Sequence, residues 1–172
     1  MTTIYTPSSS LPHYDPCRVE GLEGEWLFFY GGEFSNFVGG PFTIRADQPW
    51  SAEVQGSYPT VEHFYQASKA LDPVSHKAIA NELNTWSAKR MGNAVELRQD
   101  WEAVKYEVMM AGLRVKFDYD PFRKALLATG DVNIAEDSPT DFIWGIRDGK
   151  GGLTGRNLLG KALMELRTEI RS

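Results

Sequence analysis

The chain has 172 residues, 42% of them hydrophobic and 12% aromatic, enough to build one core and too many for a mainly disordered protein. Its formal net charge of −5 gives no general positive field for gripping a nucleic-acid backbone, so any nucleic acid must be recognised locally. The lone cysteine, Cys17, excludes an internal disulfide, and no apolar run approaches the roughly 18 residues of a membrane span.

Residues 1–22 are rich in Ser, Thr and Pro without periodicity and read as a loosely held arm ahead of a domain over 23–172. No basic segment followed by an apolar one opens the chain, and with the single thiol this points to a cytoplasmic setting. Glu25–Tyr30, stopped by Gly31-Gly32, has the aromatic content of a buried strand, and Phe42–Ile44 is a second strand. Between them lies the polar-aromatic loop Glu33–Phe37, and residues 45–58 form a turn-rich excursion.

From Pro59 the period changes to that of a helix. Thr60 caps it, and Val61, Phe64, Tyr65, Ser68 and Leu71 share one buried stripe, with Asp72-Pro73 as its end. Short helices follow over 74–83 and 85–91. Asp100 caps a longer one to Phe117, with Trp101, Val104, Val108, Ala111 and Val115 inward. Pro121 starts another helix through Ala128, and Asn133–Ala135 is a brief strand. A Gly-rich loop from Gly145 to Gly155 leads into a closing helix with Leu158, Leu159, Ala162, Leu163, Leu166 and Ile170 inward. The fold class is α+β: a predominantly helical single domain with a small β element.

Two familiar chemistries do not fit. Gly155–Lys161 nearly spells a phosphate-binding loop, but Ala162 stands where a hydroxyl would hold magnesium, and the stretch has helical periodicity. His13, His63, His76 and one cysteine offer no zinc-binding spacing, so neither metal nor cofactor is expected.

Glu62, Gln66 and Lys69 stand at i, i+4 and i+7, which lines three polar groups along one helical ridge. Spacing alone favours a solvated helix edge. A second cluster, Asp141 to Trp144 beside the glycine loop with Lys150, reads either as solvated turn or as a cradle in which Asp141 holds ribose and Lys150 meets phosphate. Asn157, at the start of the last helix, would join it.

These residues fall into an ordered series: Phe34-Ser35-Asn36-Phe37, Thr60-Val61-Glu62-His63-Phe64-Tyr65-Gln66-Ala67-Ser68-Lys69, Ala88-Lys89-Arg90-Met91-Gly92 and Arg98-Gln99-Asp100-Trp101. Leu113–Phe117, Leu126–Gly130, Asp141–Gly145 and Gly155–Gly160 complete it. The series resembles the NADAR (YbiA-like) family of N-glycosidases over about residues 26–170. The segments 45–58 and Ile146–Thr154 depart from the pattern in length and spacing.

The resemblance implies cleavage of a bond between ribose C1 and nitrogen, with no cofactor. The substrate would be ADP-ribose on guanine of DNA or RNA, or a phosphorylated ribosylamine of riboflavin synthesis; a non-catalytic ADP-ribose binder is the rival outside enzymology. The family motif assigns Glu62 to catalysis, and Lys69, further along the ridge, would donate a proton or attack C1. Ser35, Asn36 and Gln66 would meet the sugar or phosphate, and Trp101 or Trp144 would stack on a base. Trp101 also fits core packing. Lys89 and Arg90 read as phosphate contacts or as a solvated face.

Overall fold

A computed structural model describes residues 17–18, 23–45, 54–149 and 152–172. Along them run the strands β1 (Cys17–Arg18), β2 (Glu25–Phe29), β3 (Phe42–Ile44) and β4 (Gly56–Tyr58), then the helices α1 (Val61–Ala67), α2 (Pro73–Ala80), α3 (Thr85–Gly92), α4 (Trp101–Phe117) and α5 (Asp120–Ala128). β5 (Asn133–Glu136), β6 (Ile146–Gly149), β7 (Gly152–Gly155) and α6 (Leu158–Arg171) complete the order. The architecture is α+β and mainly helical. It forms two compact units, the described residues up to Ser35 with Asp120–Ser172, and Asn36–Tyr119.

The first unit is organised by a three-stranded sheet in the order β1-β2-β5. β2 runs antiparallel to β1 and parallel to β5, with Leu27 opposite Ile134 and Phe29 opposite Glu136. Successive residues of β2 point to opposite faces, yet Leu27, Phe28 and Phe29 are all buried, so both faces are covered. That explains an aromatic run without alternation. Cys17 and Arg18 therefore belong to the edge of a sheet; the rest of the arm over 1–22 lies outside the described residues.

The stretch Gly145–Gly155, expected as a loop, contains the antiparallel hairpin β6–β7, with Ile146 opposite Gly155. Its apolar residues supply the reason, because Ile146 joins a core of Phe28 and Ala135, and Leu153 packs against it. α6 lies against β5 so closely that a Cβ on Gly160 would stand 2.0 Å from the carbonyl oxygen of Ile134.

The second unit is built around α1, whose seven residues are all buried. Thr60 caps it, accepting the backbone N–H of His63 at 3.3 Å. The helix ends at Ala67, not at residue 71. The Ser68 hydroxyl donates back to the Phe64 carbonyl at 2.7 Å, and Asp72 starts α2 by accepting the Ser75 N–H at 2.8 Å, with Pro73 in the first turn.

α4 begins after Asp100, whose carboxylate takes both arms of Arg98, at 2.6 and 3.0 Å, and makes no side-chain cap. Its buried face is wider than the expected stripe. Met109, Met110, Leu113, Lys116 and Phe117 join Trp101 and Val108, while Val104, Ala111 and Val115 are half-buried, because α4 meets both α1 and β3. Of the excursion over 45–58, residues 46–53 lie outside the described part, and β4 pairs antiparallel with β3. No helix of the described residues is long and apolar enough to cross a membrane.

Two outcomes follow. Gly160→Ala forces α6 off a rigid backbone carbonyl, and its urea midpoint should fall by the equivalent of about 1–3 kcal/mol. The second concerns His63, which is buried with Nδ1 2.8 Å from the Thr60 hydroxyl. Burial lowers its pKa, and the backbone carbonyl and charge of Glu82 only partly oppose this. The unfolded chain takes up that proton near pH 6.5, whereas the folded chain resists it. Stability from this group is complete above about pH 6.5 and is lost as the pH falls below it. Urea unfolding at pH 8 and pH 5.5 should show that loss, and His63→Asn should reduce it.

Candidate active site

The sequence of α1 puts a carboxylate where there is little water. Glu62 is only 5% exposed, in the first turn of a helix with no solvent-facing side. An ionised group there needs donors and a countercharge. Gln66, one turn on, donates Nε2–H to Glu62 Oε1 at 2.8 Å. From α3, the Lys89 ammonium stands 3.9 Å from the same oxygen. At that separation the attraction is about 4 kcal/mol in an effective dielectric near 20, which offsets part of the several kcal/mol that the carboxylate loses on burial, while the Lys89 side chain stays 29% exposed. The carboxylate is thus held between an amide donor and an ammonium.

The loop before β3 completes the arrangement. The Asn36 carbonyl accepts the backbone N–H of Glu62 at 3.0 Å, which ties the loop to the first turn of α1. The Asn36 side chain is buried, with Nδ2 3.3 Å from the Met109 sulfur and Oδ1 without a hydrogen-bond partner. Phe37 follows. Its ring lies 5.6 Å from Lys89 Nζ and 4.7 Å, centroid to centroid, from the ring of Trp86 at a tilt of 50°. Trp86 is 56% exposed, the most exposed tryptophan among the described residues. A buried carboxylate, an ammonium beside it and an open aromatic surface are thus gathered within one unit.

Lys69 lies two residues beyond the end of α1, in a turn where its backbone N–H donates to the Gln66 carbonyl at 3.3 Å. Its amine donates to Asn93 Oδ1 at 3.0 Å and lies 5.3 Å from the Tyr65 ring. Lys89, on α3, is a cation placed against Glu62. Arg90, on the exposed side of α3, donates to Ser87 Oγ at 2.8 Å. Trp101 packs edge-to-face on Tyr65 at 5.0 Å and is buried in the core.

The remaining candidates belong to the other unit, where backbone occupies much of their bonding capacity. Asp141 Oδ1 accepts the N–H groups of Ile143 and Trp144 at 3.0 and 2.9 Å and so shapes the turn. Trp144 is buried. Asn157, left-handed at φ 50°, donates to the Ile134 carbonyl at 2.8 Å and accepts the Glu136 N–H at 3.3 Å, latching β5 to the start of α6. Ser35 is buried, its N–H on the Gly32 carbonyl at 3.1 Å. Lys150 lies outside the described residues.

Sequence reasoning passed over Trp86 and Phe37 as the aromatic surface. A signal existed: Trp86, Lys89, Arg90 and Asn93 stand at i, i+3, i+4 and i+7 around a helix whose only buried residues are Ala88 and Gly92.

Comparison with known proteins gives the family. A family model described as the NADAR domain matches residues 28–171. The chain is 38% identical over 143 residues to the N-glycosidase YbiA of Escherichia coli, covering 81% of each. It is 38% identical over 162 residues to the N-glycosidase Npun_R5314 of Nostoc punctiforme, covering 85% of the chain and 93% of the relative. A riboflavin biosynthesis protein of Zea mays, PYRR, is 34% identical over 188 residues, covering 99% of the chain and 29% of that longer protein. The solution structure of E. coli YbiA superposes with a TM-score of 0.69 at 36% identity, over 85% of this chain and 84% of that one. The chain belongs to the NADAR domain family, the family of the N-glycosidases it matches.

Proposed function

We propose that this chain is an N-glycosidase that hydrolyses the bond between ribose C1 and a nitrogen, with Glu62 as the carboxylate at C1. The observation that carries this reading is the buried Glu62 carboxylate, held by Gln66 at 2.8 Å and 3.9 Å from Lys89. Breaking the C1–N bond puts positive charge on the ribose ring and electrons on the leaving nitrogen. Glu62 stabilises the ring cation and takes a proton from the attacking water, whose oxygen bonds to C1. Lys89 supplies a proton to the departing nitrogen. Lys69 is the alternative amine, as proton donor or as the nucleophile of a Schiff base.

On the first substrate reading, the leaving group is guanine of nucleic acid carrying ADP-ribose, one of the two classes implied by the family resemblance. The open Trp86 face, paired with Phe37, suits a base that must be recognised locally by an acidic protein. A second reading, a phosphorylated ribosylamine of riboflavin synthesis, is favoured by the PYRR relative and by a Vibrio vulnificus riboflavin biosynthesis protein, 37% identical over 127 residues.

The decisive assay offers guanine-ADP-ribosylated DNA and a phosphoribosylamino-pyrimidine to the protein in parallel. Free ADP-ribose from the first supports the first reading. Ribose phosphate from the second alone supports the other. Binding of ADP-ribose with no bond cleaved in either would mark a reader and overturn both. On the working substrate, Glu62→Gln should cut kcat by roughly 10²–10⁴-fold with an unchanged circular dichroism spectrum. Trp86→Ala should raise KM roughly five- to a hundredfold, as expected for loss of one stacking surface. Comparing Lys89→Met with Lys69→Met separates the two amines, and the larger loss of kcat is expected for Lys89.

A further inference from the structure

We infer that Gly92 is a positioning residue for Glu62, acting through Gln66. The inference rests on the glycosidase reading above. Gly92 is the last residue of α3, is buried, and has an ordinary helical backbone, so conformational freedom does not explain a glycine there. Space does. A Cβ at this position would stand 2.2 Å from Gln66 Oε1 and 2.7 Å from Gln66 Cβ. The missing methyl is the room that the Gln66 amide occupies.

The way that amide faces is forced. An ionised carboxylate can only accept, so the group toward Glu62 Oε1 must be the amide NH₂. The amide oxygen is then turned away, buried and without a hydrogen-bond partner. The other end of the same amide braces the carboxylate, while the unpaired end lies against the Cα of Gly92.

The same contact sets a second distance. Lys89 precedes Gly92 by one turn of α3, and its ammonium reaches Glu62 Oε1 at 3.9 Å. How closely α3 approaches α1 at Gly92 therefore governs both partners of the carboxylate. A side chain at residue 92 must push the Gln66 amide aside, move α3 outward, or both. Either movement takes a donor or a countercharge away from Glu62. Both partners favour its ionised form, so losing them raises its pKa.

The test compares Gly92→Ala, Gln66→Ala and the double variant with wild type on the working substrate, with Glu62→Gln as the control for the underlying reading. Gly92→Ala should lower kcat on the order of a hundredfold, the scale of a catalytic group misplaced by about 1 Å, with KM changed much less. The acidic limb of kcat against pH should move to higher pH in both single variants, and the Glu62 carboxyl resonance in NMR should titrate at higher pH in the free protein. The double variant should lose far less than the product of the two single losses, because both act on one brace. A folded Gly92→Ala protein with wild-type kcat and an unmoved acidic limb overturns the inference, as do single losses that multiply. Should Gly92→Ala fail to fold, Gln66→Ala alone decides: an unmoved limb overturns the brace, a raised one supports it. These outcomes are separable from the function itself, since the reading on which the inference stands is removed by an active Glu62→Gln protein or by a wild type that cleaves neither substrate.

Discussion

Burying one negative charge is the constraint around which the second unit is organised. A carboxylate taken out of water loses several kcal/mol of hydration, and the fold must return most of that through fixed dipoles and a countercharge. Glu62 gets an amide from its own helix and an ammonium from the neighbouring one. Its position in the first turn of α1 adds the favourable end of the helix dipole. None of these partners can be moved without exposing or stranding the charge, so the loop at Asn36, α1 and α3 are bound to one another for electrostatic reasons as much as for packing. A surface glutamate would require none of this.

The parts legible in the sequence are those decided by neighbours along the chain. Thr60 three residues ahead of His63 gave the start of α1, and the Gly-bounded aromatic run gave β2. The end of α1 was not legible in the same way. The apolar period continues to Leu71, but Ser68 bonds back to Phe64, and Asp72 and Pro73 serve as the start of α2. Two capping signals were present, and which helix each belonged to depended on tertiary packing. The glycine-rich stretch from Gly145 was misread because two apolar side chains, Ile146 and Leu153, reach a core formed by strands more than a hundred residues away in sequence, at Phe28, and nearer, at Ala135.

The parallel pairing of β2 with β5 lay beyond local pattern for a similar reason. Parallel neighbours require a long crossover, and here the chain from Asn36 to Tyr119 forms an entire compact unit before the partner strand arrives. The alignment of Leu27 with Ile134 joins residues of matching apolar character, but nothing between them announces the match. Short motifs placed the candidate residues in order along the chain. They did not say which would share a unit.

The tryptophans show how burial sorts residues that composition treats alike. Trp101 and Trp144 sit next to charged motif residues and invite a stacking role, yet Trp101 fills the core against Tyr65, and Trp144 is buried in the turn that Asp141 shapes. Trp86 has only one strongly buried neighbour on its side of the sequence, Ala88, and its helix lacks an apolar stripe. The ring beside Trp86, Phe37, immediately follows the residue whose carbonyl anchors Glu62. The same short loop therefore ties one of the two aromatic rings to the first turn of the helix that carries the charge.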